Sequence, residues 1–162
     1  MRFWHNWPKQ TSLREVESWR LRCRTIEAMG ALVLARAVIA ALHLSRWNRH
    51  FGLAGTPTAA QCEEACRLSA HVRRAAQRLP LNWKCLPQAL ALSRMLRRRG
   101  VPHLLVIAAR PAGARSGADD LHAWIAAGDM IVLGALPGPW LPVLTLPRQP
   151  AELAFRTRII DK

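Results

Sequence analysis

Hydrophobic positions fall at helical spacing over the first hundred residues and at strand spacing beyond them. Ser12, with Glu15 three residues on, makes a capping box that opens a helix running through Arg24. Residues 26–44, IEAMGALVLARAVIAALHL, are the most apolar run of the chain. Its nineteen residues reach the length of a bilayer crossing, yet Glu27, Arg36 and His43 interrupt it, and an arginine near mid-span is costly in lipid. The run reads as a core helix, with contact to a membrane surface the disfavoured alternative. Residues 45–55, SRWNRHFGLAG, form a basic, aromatic turn. Thr58 and Gln61 then cap a helix that runs to about Leu79 and stops at Pro80.

The stretch 81–100, LNWKCLPQALALSRMLRRRG, predicts the helix around which the chain is organised. Leu86, Ala89, Leu90, Ser93 and Leu96 share one face, widened by Leu92 and Met95. Pro87 suits the first turn, Arg97, Arg98 and Arg99 suit the last, and Gly100 supplies the stop. After Gly100 the period changes. Residues 101–110 read as a buried strand and residues 111–118 as a flexible loop. Leu121–Ala127 and Met130–Leu133 flank Gly128-Asp129, a two-residue hairpin signal. Pro137, Pro139, Pro142, Pro147 and Pro150 predict a tail that wraps the surface without joining a central strand. Helices first and an antiparallel hairpin after them give an α+β domain with its helices gathered on one side.

With 162 residues and 51% hydrophobic content, the chain is long enough for one domain with a real core, and no repeat divides it. The net charge of +14 is spread, with 13 basic and 5 acidic residues up to Pro80 and 11 against 5 after it. A basic tail is thereby excluded, whereas nucleic acid, anionic lipid and acidic peptides all remain compatible with the field. The start, MRFWHNWPKQ, lacks the apolar core of a secretory signal, so Cys23, Cys62, Cys66 and Cys85 read as reduced thiols of a cytoplasmic protein. Cys62 and Cys66 lie four apart with His71 beyond them, and zinc would need Cys23 as a fourth ligand. Small residues packing between helices are the simpler reading, and no metal is expected. Zinc-hydrolase, phosphate-loop and dinucleotide motifs are missing from the sequence.

Cys85 stands at a helix entrance, where unpaired N–H groups and the helix dipole favour a thiolate. The alternative is a small buried hydrophobe. Strand alternation places His122, Trp124 and Ala126 on one face and Leu121, Ala123 and Ile125 on the other. A histidine among apolar neighbours is commonly a packed core residue. A helix-borne thiol followed by a strand-borne imidazole is nevertheless the constellation of a cysteine nucleophile and its base.

Cys85-Leu86-Pro87-Gln88-Ala89-Leu90-Ala91-Leu92, preceded by Arg78-Leu79-Pro80, is followed by Leu96-Arg97-Arg98-Arg99-Gly100-Val101 and then by Leu121-His122-Ala123-Trp124-Ile125. Together these segments resemble the stand-alone leader peptidases of lasso-peptide biosynthesis, small transglutaminase-like cysteine proteases. The resemblance is sharp over residues 79–133 and looser over the N-terminal helices. It implies a papain-like core, residues 57–162, in which the helix bearing the cysteine packs on a small antiparallel sheet bearing the histidine. Residues 1–56 become a helical lead-in. It also implies that Cys85 is the nucleophile, that His122 is general base and then acid, and that the Cys85 backbone N–H is an oxyanion donor. The implied reaction is cofactor-free removal of a leader from a ribosomally made precursor before macrolactam closure. The implied partners are the precursor peptide, a separate winged-helix leader-recognition protein and an asparagine-synthetase-like cyclase. A transglutaminase-like acyltransferase or a catalytically weak peptide binder would share the fold. A basic nucleic-acid-binding helical protein would account for the charge but not for His-Ala-Trp.

The third catalytic group departs from the resemblance. Related proteins tend to carry an orienting Asp on the strand after the hairpin, nearly opposite the histidine. Counting back from the turn, Ala123 faces Gly134, which has no side chain to offer. Asp129 sits at the turn, roughly 20 Å from His122 at the rise of a strand. Asp119 and Asp120 precede the histidine and reach it only if their loop folds back. A backbone carbonyl or a water is the remaining option.

Overall fold

The computed structural model describes residues 13–41, 43–111 and 120–148. The two N-terminal helical stretches form one helix, α1, Leu13–Ala41. Nothing between Arg24 and Ile26 breaks it, and Gly30 rides on its exposed side. The Ser12 cap lies outside the described residues. Where a turn was expected, a short 3-10 helix spans Leu44–Arg49. It buries Trp47 edge-on to Phe51, with ring centroids 5.8 Å apart.

Helix α2, Ala59–Arg78, opens with the expected capping box: Thr58 Oγ1 accepts from Gln61 N–H at 3.3 Å, and Gln61 Oε1 accepts from Thr58 N–H at 2.9 Å. Helix α3, Cys85–Arg98, closes through Gly100 at φ +65°. Val101 N–H bonds Leu96 O and Gly100 N–H bonds Arg97 O, both at 3.1 Å, which satisfies the last carbonyls.

Four antiparallel strands follow: β1 Leu104–Ala109, β2 Leu121–Ala127, β3 Met130–Leu133 and β4 Leu141–Leu146, in the order β3-β2-β1-β4. The hairpin strands match their predicted bounds, but two expectations are corrected. The proline-rich segment does join the sheet, as edge strand β4 on β1. Pro142 sits opposite Ala108 where the register slips, and an edge strand tolerates a residue without an N–H. The β2–β3 register is also not continuous. Ala127 faces Met130, but a bulge between Ala126 and Ile125 brings Leu133 opposite Ile125.

Helix α3 is the hub, packed on α1, α2, β1 and β2. Its Leu90, Leu92, Met95 and Leu96 are fully buried against Leu32 of α1, Leu68 and Val72 of α2, and Leu105 and Ile125 of the sheet. Each such side chain contributes about 1.5–3 kcal/mol of burial. Two polar links fasten it further. Arg99 forks onto Glu27 of α1 at 2.6 and 3.1 Å, which holds the Glu27 carboxyl below its ordinary range. Ser93 Oγ accepts from Gly52 N–H at 2.9 Å and donates to His103 Nε2 at 2.8 Å, while His103 Nδ1–H donates to Val101 O at 2.8 Å. Among the described residues no helix is long and apolar enough to cross a membrane.

Burial pushes the His103 imidazole down to about 4, so the folded protein holds it neutral. The unfolded chain takes up that proton first. The stability this residue contributes is therefore complete above its ordinary value of 6.5 and drains as pH falls toward 4. Urea unfolding is expected to lose about 2 kcal/mol through this group between pH 7 and pH 5. His103→Gln should be less stable at neutral pH yet markedly flatter over that interval; an unchanged slope in the variant would rule His103 out as the source.

Candidate active site

The thiol is delivered by the link from α2 into α3. Trp83 is buried and clasped from the helix by Gln88, whose Nε2 donates to Trp83 O at 2.6 Å. Lys84 is the N-cap, in extended conformation and without a side-chain cap bond, and Pro87 contributes no N–H. The first-turn N–H groups of Cys85 and Leu86 thus meet no capping side chain, a favourable place for negative charge on sulfur or oxygen. Cys85 is half-buried, and its sulfur lies 3.9 Å from Leu121 O, the carbonyl of the peptide leading into His122. The candidate nucleophile therefore stands at the start of β2, beside the backbone of the candidate base. The thiol points to that carbonyl and not to the ring, as is common before substrate tightens a site.

His122 is 7% exposed on the strand face opposite Ala123, Ile125 and Ala127, which enter the helical core. Its Nε2 lies 2.6 Å from Gly134 O. A carbonyl only accepts, so Nε2 carries the proton and Nδ1 keeps the lone pair a base needs. The ring is flanked by Trp124 at 6.0 Å and Trp140 at 5.1 Å between centroids, with Arg110 4.9 Å over the Trp140 ring. The Trp140 Nε1 is buried without a hydrogen-bond partner among the described residues, so this indole serves the site through its face.

Gly134 follows directly on the bulged end of β3. The extra residue carries the chain one step along, and Gly134 folds at φ +83° against Ala123 and Trp124. A Cβ at this position would lie 2.6 Å from Ala123 O. Main chain thus contacts the imidazole where an acid was expected, and a side chain there would collide with the strand it faces.

Of the acids weighed for orientation, Asp129 is exposed at the hairpin turn. Asp120 is half-buried just before β2, its carbonyl accepting from Arg110 N–H at 2.9 Å. Asp119 lies outside the described residues. The cysteines weighed for zinc are apart in use: Cys62 points to Ala127 O at 3.9 Å, while Cys23 and Cys66 are exposed. His71 Nδ1 is taken by Thr25 Oγ1 at 3.0 Å and Arg74 at 3.2 Å. Trp140 was missed from sequence; its signal was a lone aromatic within the proline-rich segment.

Gly134→Ala is expected to destabilise the fold by roughly 1–3 kcal/mol, from a strained φ plus the clash. It should also lower activity at saturating substrate by pulling the carbonyl off His122. Denaturant unfolding checks the first effect and kcat the second; a variant with wild-type stability and rate would contradict this geometry.

Comparison with known proteins adds one positive finding. The family model described as Transglutaminase-like superfamily matches residues 27–143, which run from α1 through the proline-rich segment into β4. Neither the search of curated proteins nor that of solved structures gives a match. A match over most of the chain, joined to an α+β fold with a cysteine-bearing helix on an antiparallel sheet, places this protein in the transglutaminase-like superfamily.

Proposed function

We propose that this protein is a cysteine peptidase that removes the leader from a ribosomally synthesised lasso precursor peptide before macrolactam formation. Membership of the superfamily points to cysteine-protease or acyltransferase chemistry. The finer reading rests on the motif resemblance around Cys85 and His122. The observation that carries the chemistry is the hydrogen bond from His122 Nε2 to Gly134 O, which reserves Nδ1 for proton transfer.

In this reading Nδ1 takes the thiol proton and the thiolate attacks the scissile carbonyl carbon. The C–O π electrons move to oxygen, where the Cys85 N–H stabilises the developing charge. Collapse expels the amine, which takes the proton from Nδ1, and leaves a thioester. Water, deprotonated by Nδ1, attacks the thioester and releases the leader carboxylate with the thiol restored. A separate winged-helix protein supplies leader recognition, and the asparagine-synthetase-like cyclase receives the freed core. The superfamily match equally supports an acyltransferase in which an amine takes the place of water at the second step.

Cys85→Ala should abolish leader removal from a precursor presented with its recognition partner, with far-UV circular dichroism unchanged. Full cleavage by that variant would sink the peptidase reading. With wild-type protein, an added primary amine should leave hydrolysis the dominant outcome by mass spectrometry. Dominant amide product would favour the acyltransferase.

A further inference from the structure

Helix α1 has two apolar faces. Ala28, Leu32 and Ala35 enter the core. On the opposite side Cys23, Ile26, Gly30, Val33, Ala37 and Ala40 recur at alternating steps of three and four, the spacing of a helix-pairing seam. All six are exposed, Ile26 at 65% and Val33 at 57%. Such a stripe is unfavourable in water unless something covers it.

Two further observations say what kind of object covers it. Gly30 lies mid-helix, where glycine is disfavoured relative to alanine, yet a Cβ there would meet nothing within 4 Å. No contact within the described chain requires the glycine. Gly30 lines a half-open cavity of about 250 Å³ together with Glu27, Ala31 and Leu34 of α1 and Arg94, Met95 and Arg98 of α3. Open to solvent on its outer side, this groove has room for one bulky apolar side chain of a docked helix. The second observation is charge. Arg94 and Arg98 stand exposed on the α3 bank, and Arg22 and Arg36 stand exposed one position before the seam on the other bank. Glu27, the acid on the α3 bank, is already held by Arg99. The banks are positive, and a second copy of a chain at +14 would bring more positive charge to them.

We infer that the outer face of α1, with its Gly30 cavity, docks an amphipathic helix of a partner protein that is acidic along both edges and seats one bulky apolar side chain in the cavity. This surface is independent of the thiol chemistry, and its test needs no turnover. Two fluorescein-labelled synthetic helices serve as probes, each with a three-four leucine seam and a central phenylalanine, one flanked by glutamates and one by lysines. Fluorescence anisotropy should show the glutamate peptide binding at least tenfold tighter than the lysine peptide, and more weakly as salt rises. Gly30→Leu, which fills the cavity, should weaken binding at least tenfold while the Tm holds or rises by about 2–4 °C. Val33→Asp should do the same to binding, and Leu136→Asp, at an exposed position outside α1 and the groove lining, should not. Equal binding of the two peptides, or undiminished binding by Gly30→Leu, would overturn the inference. So would a dimer in light scattering that Val33→Asp dissolves, since the face would then belong to a second copy.

Discussion

The hydrogen bond from His122 Nε2 to Gly134 O is the constraint on which the site depends. It selects the tautomer, aims Nδ1 away from β3, and requires that the main chain after the hairpin be in one place. Three local features put it there: the Gly128-Asp129 turn, the bulge that shifts β3 by one residue, and a glycine at positive φ that lets the backbone close on Ala123. A carbonyl orients an imidazole as well as a carboxylate does, but it brings a dipole and not a full negative charge to the ring it holds. The faces of Trp124 and Trp140 supply a weaker electrostatic complement at about the distance where cations and rings attract.

Both halves of the site are positioned by α3. Its buried face ties it to two helices and the sheet at once, so the direction of its axis is over-determined. The thiol end is carried by a helix fixed by Leu90, Leu92, Met95 and Leu96, and Gln88 on Trp83 O secures its entrance. The far end is closed by Gly100 and clamped by Arg99 on Glu27, while Ser93 and His103 pin the middle to the loop at Gly52. Polar groups this deep are tolerable because each finds a partner.

The α3 helix, its arginine-rich end and the hairpin bounds were legible because each is written in local pattern. What was not legible is non-local or masked by uniform chemistry. Met130, Ile131, Val132 and Leu133 are all apolar, so alternation carries no trace of the bulge, and an unbulged count aims Gly134 at Ala123 and away from the imidazole bond. Prolines around residue 142 argued for a surface path away from the central strands, which hid that an edge strand tolerates them and that β4 pairs with β1. Trp140 meets His122 across eighteen positions of sequence, and no spacing rule links them. That the capped stretch through Arg24 and the apolar run from Ile26 are one helix was open in the sequence, because packing and not local pattern decides a helix's length.

Nitrogen chemical shifts of the imidazole test most directly whether main chain holds His122 in the Nε2-protonated tautomer. In protein carrying ¹⁵N-labelled histidine, long-range proton–nitrogen correlation at neutral pH should show His122 with a protonated Nε2 and an unprotonated Nδ1. A spectrum with the proton on Nδ1 would contradict the account.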